Sequence, residues 1–138
     1  MVEAISDVTT VEDGILSLFS VWVDHTRFDP RLDQAIRDWA RHSEDLRNIV
    51  TAEDDARVKA ISTFFCRFNY PASEAFIRAR VIYFTQISYY ALGVEQAEDW
   101  NQRMSYLEDY FRCFAGREMD PDIAAAYKAA NLKDDVNE

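Results

Sequence analysis

Glycine and proline are scarce in this chain, with three of each among 138 residues. Sheet-rich folds need turn residues every few positions, so this shortage excludes most of them, and each of the six reads as a mark at a helix boundary. Histidine and cysteine number two apiece. His25 and His42 fall near predicted helix ends, where an imidazole meets the helix dipole favourably. Cys66 and Cys113 lie far apart within helical patterns and read as small buried hydrophobes with free thiols. A disulfide is not expected in a chain without a secretion signal. No second Cys or His stands at ligand spacing, and Asp24, His25 and Asp29 match no metal geometry, so no metal site is expected.

Positive charge is also in short supply. Fifteen Lys and Arg face 25 Asp and Glu, for a net charge of −10 and a pI near 4.6. Nucleic-acid phosphates attract clustered bases, whereas these arginines are scattered singly among carboxylates; direct contact with nucleic acid is not expected. No apolar run approaches the ~20 residues that span a bilayer. Met1 to Asp7 carry neither the basic flank nor the apolar core of a signal peptide. The expectation is a cytoplasmic protein without membrane contact. Glycine-rich phosphate loops, nucleophile elbows and His-Glu-x-x-His pairs are all missing. Carboxylates beside arginines, as in Arg37-Asp38 and Glu53-Arg57, fit solvated ion pairs of small energetic effect. No enzyme and no cofactor are expected.

What is present is apolar residues, 49% of the chain, enough for one core in a domain of this length. Their spacing predicts about six helices in an all-α bundle. The first runs from about Val11 to His25, with Thr9 and Glu12 at capping-box spacing. Val11, Ile15, Leu18 and Trp22 form one stripe, with Leu16, Phe19 and Val23 beside it. Asp29-Pro30 suits a cap followed by the first helical position, and the second helix, Pro30 to Arg41, is expected to bury Leu32, Ala35, Ile36 and Trp39. Ser43 caps a third that runs to about Asn69, with a kink possible near Thr51. After Tyr70-Pro71 the fourth, Ala72 to Leu92, shows two apolar faces: Phe76, Ala79, Tyr83, Ile87 and Tyr90 on one, Ile77, Val81, Phe84 and Ala91 on the other.

The fifth helix, Glu95 to Ala115, carries Ala97, Trp100, Met104, Leu107, Phe111 and Phe114 in steps of three and four, a heptad seam. Asp120-Pro121 opens a short sixth helix through Ala130, and Lys133 to Glu138 read as a frayed acidic tail. Residues 1–118 thus form the main domain and 119–138 a short helix with its tail. The fourth and fifth helices show more apolar face than the upstream helices can cover. An antiparallel pair packed on its symmetry mate in a four-helix bundle would bury the excess, with Phe84, Trp100, Met104, Leu107, Phe111 and Phe114 at the interface. The plain alternative is a monomer whose sixth helix covers one face.

Three segments carry a resemblance. Phe28-Asp-Pro-Arg-Leu-Asp-Gln-Ala-Ile-Arg-Asp-Trp-Ala-Arg41, then Asp54-Asp55-Ala56-Arg57 leading to Phe64-Phe65, then Glu74-Ala75-Phe76-Ile77-Arg78-Ala79-Arg80-Val81-Ile82-Tyr83 resemble, in order and spacing, the C-terminal ligand-binding and dimerisation domain of TetR-family transcriptional regulators from about Val11 to Gly116. Nothing here corresponds to the family's N-terminal helix-turn-helix, so the chain reads as a fragment, a truncated product or a relative without its DNA-binding head. The resemblance implies a homodimeric repressor domain whose small-molecule effector controls DNA binding by that head. It also implies a pocket among the first four helices, lined by Phe19, Trp22, Trp39, Phe65 and Tyr83 with Gln86 as polar contact, suited to a mostly apolar effector. The ordinary alternative is a helical homodimer or interaction module in which these aromatics only fill a core.

Overall fold

The computed structural model describes residues 1–131 and is all-helical, with no strand among them. The elements are α1 (Val2–Ser6), α2 (Val11–Val23), α3 (Pro30–Ala40), α4 (Glu44–Arg67), α5 (Ala72–Ala91), α6 (Val94–Ala97), α7 (Trp100–Ser105), α8 (Leu107–Ala115) and α9 (Pro121–Asn131). The expected tail, Lys133 to Glu138, lies outside the described residues.

Local chemistry accounts for most of the boundaries. Asp29 caps α3, accepting from the Arg31 and Leu32 amides, and Pro30 takes the first helical position. Ser43 accepts from the Leu46 amide and starts α4, which runs unbroken through Thr51. Its C-terminal turn ends at Asn69, whose φ of 68° places it in the left-handed region that Asn tolerates after a helix. The cap of α2 falls one residue later than its capping-box spacing predicts: Thr10, not Thr9, accepts from the Asp13 amide.

The core joins four helices. Ile15, Leu18 and Trp22 of α2, Val58, Ile61, Phe64 and Phe65 of α4, Ala75, Ala79 and Ile82 of α5, and Leu107, Phe111 and Phe114 of α8 are all buried. The α4–α5 hairpin is the most extensive helix pair. Gly14 is not at a helix boundary as expected but inside α2, buried, where a Cβ would run into the Phe64 ring; its lack of a side chain lets α2 approach α4. At the N-terminus, the Arg67 guanidinium gathers three carbonyls, those of Ile5 at 3.1 Å, Ser6 at 2.9 Å and Val8 at 2.9 Å, and fastens α1 to the end of α4.

Several expectations are corrected. The long fifth helix is three short ones, because Asp99 is extended and caps α7 by accepting from the Gln102 amide at 2.8 Å, and Tyr106 breaks helical geometry between α7 and α8. The heptad seam also faces inward: Met104, Leu107, Phe111 and Phe114 pack into the chain's own core and are not free for a partner. On α3 the opposite happens. Leu32 is 58% exposed and Trp39 69% exposed, because the inward face of this helix is ionic, with Asp33 and Arg37 turned toward α4. Cys66 and Cys113, expected to be buried, are exposed.

Candidate ligand cavity

Between α2, α5, α8 and α9 the aromatic packing leaves a partly enclosed cavity of about 40 Å³. Phe19 and Val23 of α2 form one wall, and Leu107, Tyr110 and Phe114 of α8 form the opposite one. Phe19 meets Phe114 at 6.1 Å between ring centroids, and Tyr110 stacks on Phe114 at 5.7 Å. Tyr127 of α9 closes the cavity. Its hydroxyl is 3.1 Å from Ser20 Oγ. Two further contacts hold α9 down: Lys128 Nζ to Glu108 at 2.9 Å, and the Trp100 indole N–H to the Asn131 carbonyl. Ala124 is buried in the core, and Ile123 and Tyr127 pack against it, so α9 is held by apolar and polar contacts together.

The polar groups of the cavity come from α5 and α7. Gln86 is only 8% exposed, and its Nε2 has no hydrogen-bond partner among the described residues. An orphaned buried donor is costly. Arg103 lines the same cavity, with its guanidinium 4.2 Å from the Tyr89 ring centroid, and it forms no ion pair among the described residues. Burial raises the Tyr90 phenol's pKa, while the nearby Arg103 cation lowers it in part. Tyr90 gives its own proton to the Trp22 carbonyl at 2.7 Å. On the outer side of Arg103 an open polar cleft holds Asp24, Glu95, Glu98 and Asp99 with His25. His25 Nε2 lies 3.3 Å from Glu95.

Of the side chains expected to line a pocket, the structure brings Phe19 and Gln86 together in this cavity. Trp22, Phe65 and Tyr83 lie in the packed core, and Trp39 points to solvent. Of those expected at a dimer face, Phe84 is 48% exposed, Trp100 is half-buried, and the other four are internal. Sequence reasoning missed Arg103, Tyr110 and Tyr127. Arg103 and Tyr110 sit on the short helices α7 and α8, which the breaks at Asp99 and Tyr106 separate.

A second polar cluster ties α3, α4 and α5 together. Arg37 binds Asp54 with two hydrogen bonds of 2.8 Å and Asp33 with one of 2.8 Å. Tyr83 donates to Asp54 at 2.6 Å, and Arg57 donates to the Tyr83 oxygen at 3.2 Å. These replace the pairs expected for Arg37 with Asp38 and Glu53 with Arg57, and they are half-buried instead of solvated. Burial pushes the Asp54 carboxyl upward, but the bonds from Arg37 and Tyr83 outweigh it and hold Asp54 below the usual carboxylate value. Every strong donor here is matched by an acceptor, so this cluster is a clamp.

No family model, no curated protein and no solved structure matches the chain. Among the described residues, no group of three His, Cys, Asp or Glu is placed to hold a metal, and no helix is long and apolar enough to cross a membrane.

Besides the outward stripe of Leu32 and Trp39 on α3, α5 carries an apolar surface. Phe76, Ile77, Val81 and Phe84 of α5 are each between 40% and 54% exposed. Ile77 and Val81 border a shallow cleft shared with Cys113 of α8, and Arg80 lies over the Phe76 ring at 4.3 Å.

Proposed function

We propose that the chain senses a small, mostly apolar molecule and pairs with a second copy of itself, as the effector-binding and dimerising part of a TetR-like transcriptional repressor. In an intact regulator the ligand would control DNA binding by an N-terminal head. The observation that carries the sensing role is the cavity, a mostly apolar enclosure with the buried Gln86 amide and Arg103 on its lining. Ligand sites have this make-up, a greasy enclosure with few polar groups.

With α9 closed, the space is well below the ~150 Å³ that accommodates benzene in a dry protein cavity. Binding therefore requires the lining to open, and a ligand that fits only the opened arrangement shifts the balance between the two. Pairing is supported by the exposed row Ile77, Val81 and Phe84 on α5, at spacings of four and three, a helical stripe left uncovered. The pairing surface in this reading is that row, in place of the internal seam on α7 and α8.

A thermal-shift screen of hydrophobic metabolites, run beside sedimentation analysis, tests both parts. Specific binding to the folded state raises the melting midpoint, by an amount equivalent to about 2.7 kcal/mol at a hundredfold excess over Kd. A flat screen with an intact dimer would favour the alternative, an interaction module without ligand. The tight packing around Trp22, Phe65 and Tyr83 favours that alternative. A clean monomer mass at micromolar concentration would remove the pairing.

A further inference from the structure

Resting on the reading of the cavity as a ligand site, we infer that its ligand is an apolar monocarboxylate, an alkyl or aryl acid whose carboxylate pairs with Arg103 while its hydrocarbon part lies among Phe19, Leu107 and Phe114. Arg103 is the only charged residue on the cavity's lining among the described residues. It is half-buried, and its guanidinium lies 4.2 Å from the centroid of the Tyr89 ring, which lines the same cavity. Burial raises the phenols of Tyr90 and Tyr110, and the Arg103 charge lowers both in part. The cation therefore stands among aromatic side chains of α5 and α8. Arg37, Arg78 and Arg112 each hold a carboxylate of the chain. Arg103 has no such partner among the described residues.

A guanidinium presents its donors as a planar fork, and a carboxylate answers it with two acceptors and the opposite charge. Such charge-assisted pairs are about twice as strong as neutral hydrogen bonds. An alcohol supplies an acceptor without the charge, and an ammonium group is repelled. Two features act against an anion: the net charge of −10, and the carboxylates of Glu95, Glu98 and Asp99 in the open cleft that Arg103 also lines. Both act over distance, where water and salt weaken them; the screening length is ~8 Å at physiological ionic strength. Glu98 is already engaged by the Tyr89 hydroxyl at 3.2 Å. A pair formed in contact, against an aromatic wall, is screened far less. The contact term wins.

The test compares octanoate, 1-octanol and octylamine, which share one chain length and differ in the head group presented to Arg103. Titration calorimetry on the full chain at neutral pH should give octanoate at least about a tenfold lower Kd than 1-octanol, with octylamine the weakest. Arg103→Met keeps an unbranched side chain beside Tyr89 and removes the charge. In that variant octanoate should lose its lead while the affinity for 1-octanol is unchanged. Should the variant lose helical circular dichroism, Arg103→Gln gives the same comparison with a neutral polar side chain. Octanoate binding no tighter than 1-octanol, or keeping its full lead without Arg103, would overturn the assignment of ligand class but leave an apolar ligand site standing. If none of the three binds, the cavity is not a ligand site, and the proposed function falls with the inference.

Discussion

The Phe64 ring of α4 occupies the space that a side chain at Gly14 of α2 would need. The crossing of these two helices is set by that contact, and both residues are buried in the core. Replacing Gly14 with Ala should gain about 1 kcal/mol of helix propensity and lose more through overpacking, which typically costs 1–3 kcal/mol. Because the neighbour is a ring fully enclosed by the core, the loss wins, and Gly14→Val should be worse. Urea denaturation of the two variants checks the order. An unchanged or raised midpoint for Gly14→Ala would mean that α2 can move away at no cost.

The two tryptophans of α2 and α3 should behave oppositely. Trp22 is 3% exposed and Trp39 is 69% exposed. Trp22→Ala should cost about 3–5 kcal/mol, whereas Trp39→Ala should stay within about 0.5 kcal/mol of the parent. Chemical denaturation separates these values readily. Trp39 fluorescence should also be quenched by iodide while that of Trp22 is protected.

The contrast between those residues shows what sequence periodicity can and cannot supply. Leu32, Ala35, Ile36 and Trp39 do share one face of α3, as their spacing predicts. Which way that face points is decided by Asp54, seventeen residues beyond Arg37: its carboxylate draws Arg37 inward and turns the apolar stripe out. Periodicity within one helix holds no trace of that partner. The α7–α8 seam failed for a related reason. Its apolar spacing is real and all four inner residues are buried, but α2 and α5 of the same chain cover them. The break at Asp99 was visible in principle, since Asp before Trp100 has the form of a helix cap, yet a sustained heptad pattern overrode it. For the cavity, Phe19 and Gln86 came from the resemblance to the TetR ligand domain, not from any stripe. Arg103 and Tyr127 were not legible, because their placement depends on how three short helices fold back.

Stability should fall at both ends of the pH range, through the α3–α4–α5 clamp and the buried phenols. Asp54 is held below its usual 3.8, so the unfolded chain binds protons first as pH drops. Its contribution is complete above about pH 4 and disappears as pH falls through its folded value. Asp54→Asn should therefore cost about 1–3 kcal/mol at pH 7 and much less near pH 3. Burial raises Tyr83, Tyr90 and Tyr110 above 10.0 and pushes Tyr89 up to about 12. For these groups the folded state favours the neutral phenol, so their contribution is intact below pH 10 and lost progressively from there toward pH 12. Phenolate absorbance and helical circular dichroism, followed together up to pH 12, should change at one midpoint. Ionisation of all seven tyrosines near pH 10 without loss of helix would contradict the assignment.

Charge on the uncovered row of α5 should separate association from folding. Phe84→Glu places a carboxylate at a site 48% exposed in the single chain. It should leave the melting curve of the monomer nearly unchanged and shift the monomer–dimer equilibrium toward monomer by at least about tenfold. Phe111→Ala, by contrast, opens a void in the core and should cost about 3–5 kcal/mol. Sedimentation velocity of the two variants distinguishes the surfaces. A dimer of undiminished affinity in Phe84→Glu would mean that the copies meet elsewhere.

The interruptions at Asp99 and Tyr106 give the wall beside the cavity an unequal stiffness. Its lower segment, α8, is anchored where the Tyr70 hydroxyl donates to the Ala115 carbonyl at 2.5 Å and Arg78 donates to the Phe114 carbonyl at 3.1 Å. Its upper segment, α7, lies between the two interruptions and is held by the buried Met104 and by the Trp100 bond to the Asn131 carbonyl. A rod of the same length would have to pivot as a whole to admit a guest, tearing those anchors. If the cavity takes a ligand, a jointed arm can bend at a single residue and leave its fixed end in place.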